Sequence, residues 1–271
     1  MRGSEVGRER RAAGTPPERT PARVVPAAAV TATTVVLVVA LAACGAGSQA
    51  GGAGGSGKRD GAGAGTGKAS GETGGKRDPT RVPGVGDSLQ RRIPQDARQV
   101  VAVYGKGEDS AEATVRLYVR EGRNWHMDRS WPAHNGRKGW TRAHREGDKR
   151  SPVGVFTLTD AGGVLPAPDS KLPYTDSAAF TPPSYWPKKT RHDFDHVIAV
   201  DYNRVKGTSP LDPTRPQGQS KGGGIWLHVD HGSGTSGCVS LSKSGMKYLL
   251  RTLDPERNPA VVMGDKAALS R

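Results

Sequence analysis

Residues 45–87 set the terms for everything else in this chain. From Gly45 to about Asp87 the sequence is Gly, Ala and Ser with scattered Lys and Arg. Such a segment cannot bury enough apolar surface to offset the entropy of ordering it. It reads as a flexible Gly-rich tether. A packed core must therefore come from residues 88–271, with residues 1–43 forming a separate leader.

Within residues 88–271 the apolar runs are short. Val100 to Tyr104 is β-prone, and Thr114 to Arg120 alternates Val115, Leu117 and Val119 with polar residues. Trp125 and Trp131 flank a piece that reads as turn-rich. Val153 to Thr159, His196 to Tyr202, Ile225 to Val229, Val239 to Leu241 and Ala260 to Met263 read as further strands. One helix is clear: Ser242 can cap it, Met246, Leu249, Leu250 and Leu253 follow at helical spacing, and Asp254-Pro255 ends it. Residues 160–195 and Arg204 to Gly222 are long irregular segments, the first plausible as a cap over a groove. Many short strands with one helix give a mainly β domain.

The leader has a second logic. Residues 1–23 are Arg-rich and polar, and Val24 to Ala43 is an apolar run of Ala and Val. That order marks an export signal. Its end, Leu41-Ala42-Ala43-Cys44, resembles the lipobox of bacterial lipoproteins, which implies acylation of Cys44 and a lipid anchor in the membrane. The competing expectation is an uncleaved membrane helix. Either way the domain is expected on the outer face of the cytoplasmic membrane.

The formal net charge is +14. Removing residues 1–43, with six Arg and three Glu, leaves +11. A basic exported protein suits polyanionic surroundings such as an envelope. No basic helix interleaved with aromatics argues for nucleic acid, and none is expected as a partner. The chain is expected to be a monomer without a cofactor.

The chemistry concentrates at residues 225–240. Ile225 to Val229 carries His228, a polar turn runs from Asp230 to Ser236, and Gly237 delivers Cys238 into a second apolar stretch. With Cys44 used by the anchor, Cys238 is a lone thiol outside the cytoplasm. An adjacent imidazole can take the proton of such a thiol and make it a nucleophile. A glycine before it allows backbone N–H groups to face a reacting carbonyl oxygen. Thr235, Ser236 and Gly237 are the expected supporting residues.

This arrangement resembles the L,D-transpeptidase family of peptidoglycan cross-linking cysteine enzymes. The residues that carry the resemblance are His228 and Thr235-Ser236-Gly237-Cys238-Val239. Ser151-Pro152-Val153-Gly154-Val155-Phe156 is similar to a second family segment, and His196 to Asn203 to the family's pre-catalytic strand. The resemblance covers about residues 95–264. It implies a sandwich-like β domain, Cys238 as nucleophile, His228 as general acid and base, and stem peptides as substrates. The chain departs from the pattern in three ways: the loop from His to Cys is short, Ser236 stands where many members have a second His, and Ser240 where many have an Arg.

Three other readings compete. One is an L,D-carboxypeptidase of the same fold. A zinc peptidase would draw on His192, Asp193, Asp195, His196, His228 and His231, although no His-Glu-x-x-His is present. A non-catalytic wall-binding lipoprotein would stack sugars on Trp125, Trp131, Tyr185 and Trp186.

Overall fold

The computed structural model describes residues 78–271. Cys44, the leader and most of the expected tether lie outside the described residues. Residues 78–87, expected to belong to the tether, are instead built into the domain. Val82 and Val85 are buried beside Leu89 and Leu269. Glycine and charge dominate up to residue 77, and the two valines were too sparse to reveal the change.

Twelve strands are present among the described residues. The first six are β1 (Gln99–Gly105), β2 (Glu112–Glu121), β3 (Asn124–His134), β4 (Trp140–Thr141), β5 (Ser151–Pro152) and β6 (Gly154–Thr157). They are followed by β7 (Ala161–Gly163), β8 (Tyr174–Asp176), β9 (Val197–Ala199), β10 (Trp226–Val229), β11 (Val239–Leu241) and β12 (Ala260–Asp265). Ten of them make one sheet in the order β6-β12-β1-β2-β3-β11-β10-β9-β7-β8, and β4 pairs with β5 alone. The helices are α1 (Asp87–Gln90), α2 (Lys243–Thr252) and α3 (Lys266–Leu269). The mainly β expectation holds, with one substantial helix directly after Cys238.

β1 shows why the apolar runs are continuous rather than alternating. Val101 and Val103 pack into a cluster that includes Met246, Leu249 and Leu250 of α2. Val100 and Ala102 face the other way, against Val82, Leu89 and Leu269. A strand buried on both faces has no polar side to display. β2 and β3 are joined by the two-residue turn Gly122–Arg123, with Gly122 at φ 59°. That is the position where a tight hairpin needs a glycine.

The structure corrects the reading of residues 125–131. They are not turn-rich but lie on β3. Their polarity arises because His126 to Ser130 are exposed along the hairpin, beyond the core. A bulge opposite Leu117 and Tyr118 turns Asp128 outward, where it accepts the Tyr248 hydroxyl at 2.8 Å. The strand expected at His196 to Tyr202 is confined to Val197–Ala199.

α2 begins as expected: Ser242 Oγ accepts the Gly245 N–H at 3.1 Å. Its apolar stripe seals the sheet face behind β10 and β11. Leu249 is fully buried there, so Leu249→Ala is expected to cost roughly 2–5 kcal/mol, measured by denaturant unfolding. Met127→Ala, on the exposed hairpin, is expected to stay within about 0.5 kcal/mol of wild type.

Candidate active site

The site is built by two parallel strands and the turn between them. β10 and β11 are paired with Leu227 opposite Val239 and His228 opposite Ser240. One step back along this register, Cys238 lies beside Trp226, whose backbone N–H donates to Cys238 Sγ at 3.4 Å. Side chains alternate along strands. Leu227, Val229, Val239 and Leu241 therefore point into the core shared with α2, and Trp226, His228, Cys238 and Ser240 share the opposite face. The imidazole and the thiol expected from the sequence are thus on one face of neighbouring strands.

The turn is tightly specified. Asp230 accepts the Gly232 N–H at 2.9 Å, starting the reversal. Thr235 N–H donates to the Asn135 carbonyl at 2.9 Å, and Arg137 N–H to the Thr235 carbonyl at 2.9 Å. Thr235 Oγ1 donates to the Cys238 carbonyl at 2.6 Å and accepts the Gly237 N–H at 3.1 Å. Ser151 Oγ donates to the Gly237 carbonyl at 2.7 Å. The Ser151-Pro152 segment and the Cys238 turn, 86 residues apart in sequence, are therefore one piece of structure. Gly237 sits at φ 152°, and a Cβ there would come within 3.1 Å of the Arg150 carbonyl oxygen. Only glycine suits both constraints. Ser236, by contrast, is exposed, with its hydroxyl near Arg137 Nη2 at 3.2 Å.

His228 is buried, and its Nδ1 is 2.8 Å from the Val229 carbonyl oxygen. An acceptor at Nδ1 requires the proton there, which leaves Nε2 as the basic nitrogen. Of the groups that could orient this ring, the backbone carbonyl does so. Ser233 is bonded to Lys189 at 2.9 Å. His231 stacks on His228 with centroids 6.5 Å apart, and its Nδ1 lies 2.9 Å from Asp193 Oδ2. Phe194 packs edge-on against His228 at 5.4 Å.

Burial controls the charge of these groups. It pushes the Cys238 thiol up to about 11, with the Trp226 N–H opposing and Asp193 adding to the rise. It drives His228 down to about 4, against the pull of the Val229 carbonyl. Asp193 rises to about 6 through burial, with His231 opposing. At neutral pH the thiol and imidazole are both uncharged, rather than a thiolate and an imidazolium.

Ser240, where a resembling sequence would carry Arg, is fully buried and donates to Asp230 Oδ1 at 2.6 Å. His134 Nδ1 approaches the same oxygen at 2.9 Å. Burial raises the Asp230 carboxyl, but the bonds from Ser240, His134 and Gly232 outweigh it, and the net shift is downward. Sequence reading missed this network and the Asp193–His231 pair. The run from His192 to His196 was noticed only as possible metal ligands. Among the described residues no three such side chains converge on a common point. His192 turns to Asp195 and His196 to Tyr174.

The depressed value of His228 has a measurable consequence. Between about 4 and the ordinary 6.5, the unfolded chain binds a proton that the folded one refuses. Stability from the neutral ring is therefore complete above 6.5 and lost as pH falls toward 4. The difference in unfolding free energy between wild type and His228→Gln is expected to rise with pH in this window, by up to about 1.4 kcal/mol per pH unit. Asp193, whose slope has the opposite sign, is common to both proteins and cancels.

Comparison with known proteins bears on the same residues. The family model for the L,D-transpeptidase catalytic domain (YkuD) matches residues 109–263, which include Ser151, His228 and Cys238. No curated protein matches the chain. Among solved structures, Bd1075 of Bdellovibrio bacteriovorus is similar at 16% identity and a TM-score of 0.35. That likeness covers 62% of this chain and 48% of the other, so the chain spans about half the length of that protein. On the match over residues 109–263, the chain belongs to the L,D-transpeptidase catalytic domain family.

Proposed function

We propose that the domain is a peptidoglycan L,D-transpeptidase working through an acyl-thioester on Cys238. What supports this most is the common face of β10 and β11, where Cys238 and His228 stand with Nδ1 of His228 committed to the Val229 carbonyl.

In this reading the Cys238 thiol attacks the carbonyl that follows the L-centre of the stem peptide's diamino acid. His228 Nε2 takes the thiol proton as the C–S bond forms. The same proton is delivered to the leaving D-alanine amine as the C–N bond breaks. The thioester is then attacked by a side-chain amine of a second stem peptide. His228 accepts that amine's proton and returns it to the sulfur. The Gly237 N–H is already bonded to Thr235 Oγ1, so the oxyanion donors narrow to the amides of Ser236 and Cys238. Thr235 and Gly237 then serve to shape the turn.

A neutral resting pair fits this proton traffic. Nε2 holds no proton above about 4, and Sγ keeps its own below about 11. No charge separation has to be maintained in a buried site before substrate arrives. The Leu41 to Cys44 sequence further suggests a lipid-anchored enzyme on the outer face of the membrane.

Cys238→Ala is expected to abolish covalent acyl-enzyme by intact-mass spectrometry while leaving the unfolding midpoint near that of wild type. His228→Ala should slow acylation by at least about 100-fold. Retained cross-linking of muropeptides by Cys238→Ala would defeat the reading. Product analysis with amine acceptor present separates transfer from hydrolysis. The neutral-pair mechanism also predicts no rise in acylation rate from pH 7 to 9, whereas a free thiolate nucleophile would give about tenfold per unit below its pKa.

A further inference from the structure

Between Phe180 and His196 the chain runs beside β10 and carries two conspicuous side chains near its middle. Tyr185 is 85% exposed and Trp186 37% exposed. Of the four aromatics considered for sugar stacking, Trp125 is buried and Trp131 packs on Tyr248. Only Tyr185 and Trp186 remain open to a ligand. We propose that they form a stacking surface for an amino-sugar ring of the glycan strand that carries the stem peptide. This rests on the peptidoglycan reading above.

The surface is continuous with the candidate active site. Trp186 packs edge-on against Phe194 with centroids 6.1 Å apart. Phe194 in turn packs against His228 at 5.4 Å and Trp226 at 5.2 Å. Two ring-to-ring steps thus lead from the open aromatic to the general base. In peptidoglycan, three residues separate the reacting carbonyl from the sugar. An extended tripeptide reaches roughly 10 Å. That reach is comparable to the two ring-to-ring steps between His228 and Trp186, so a stem running from Cys238 along Phe194 is long enough to present its sugar there.

The surface is also held in place. Pro182, Pro183 and Pro187 restrict the backbone around it. Phe180 packs on Trp226, Arg191 Nη2 donates to the Ser184 carbonyl, and Asp195 binds Lys243 of α2 at 2.7 Å. The Val229 N–H donates to the Asp193 carbonyl at 2.9 Å. Binding therefore does not have to order the segment first.

The chemistry selects a sugar. A pyranose presents a face of C–H bonds and a rim of polar groups. Two exposed aromatic side chains, consecutive in sequence, offer about the area that one such ring covers and too little for an apolar helix. Lys188 is exposed two residues beyond Trp186, a donor on the same segment for the polar rim of such a ring.

The test compares two acyl donors with the full chain: a disaccharide-tetrapeptide and the same tetrapeptide without sugar. Wild type is expected to prefer the first by about tenfold in kcat/KM, mostly through KM. Tyr185→Ser is expected to reduce that preference several-fold, and Tyr185→Ser with Trp186→Ser to remove it. Met127→Ala, exposed elsewhere, should leave it unchanged. Absence of a preference in wild type, or its survival in the double variant, would overturn the proposal. Saturation-transfer NMR of the free disaccharide with Cys238→Ala gives a readout independent of chemistry. Contact with the ring protons that weakens in Tyr185→Ser supports the surface, and no contact at millimolar sugar overturns it. Sugar contact in a protein whose wild type forms no thioester would defeat the transpeptidase reading and leave the surface standing.

Discussion

One carboxylate holds β10 and β11 in register. Asp230 follows β10 directly, and its side chain takes Ser240 of β11, His134 of β3 and the Gly232 N–H of the turn. Three neighbouring strands are joined at the point where the chain reverses. The hydrogen bonds outweigh the cost of burying the charge, so the group stays ionised and its bonds stay strong. Because side-chain faces alternate, a slip of one residue between β10 and β11 would turn either His228 or Cys238 into the core. Asp230 and Ser240 oppose that slip directly.

The second constraint is dielectric. The surroundings of Cys238 and His228 disfavour charge on either group. Neighbours do not reverse this: His231 further disfavours a proton on His228, and Asp193 disfavours a thiolate. Asp193 and His231, paired with each other at 2.9 Å, act on the two groups through charge. In the proposed mechanism, reactivity would then come from geometry rather than from a standing ion pair.

Much of this was legible in the sequence. Ser242 and the leucines after it fixed α2, since a cap followed by a helical stripe has few other solutions. Gly237-Cys238 after a strand-borne His pointed to the turn between β10 and β11. The polar face of β3 was not legible, because a hairpin projecting beyond the core loses the alternation that marks a strand. The Ser151 to Gly237 contact joins residues far apart, and no local pattern encodes its geometry. Likewise, Ser240 looked like a missing Arg, and only its contact with Asp230 gives it a role. Phe194 carried no signal, because an aromatic in a Pro-rich segment reads as a local anchor.

The segment that precedes α1 has a mechanical meaning. The Gly86 N–H donates to the Leu269 carbonyl at 2.7 Å, and Ser88 Oγ to the Arg271 carbonyl at 2.6 Å. Val82 and Val85 press on the sheet beside β1 and β12. A load applied at residue 78 would therefore fall first on α1, α3 and the strands beneath them. β2 and β3 lie between that anchorage and β11, so the strand that follows Cys238 is not among the elements that would take such a load first.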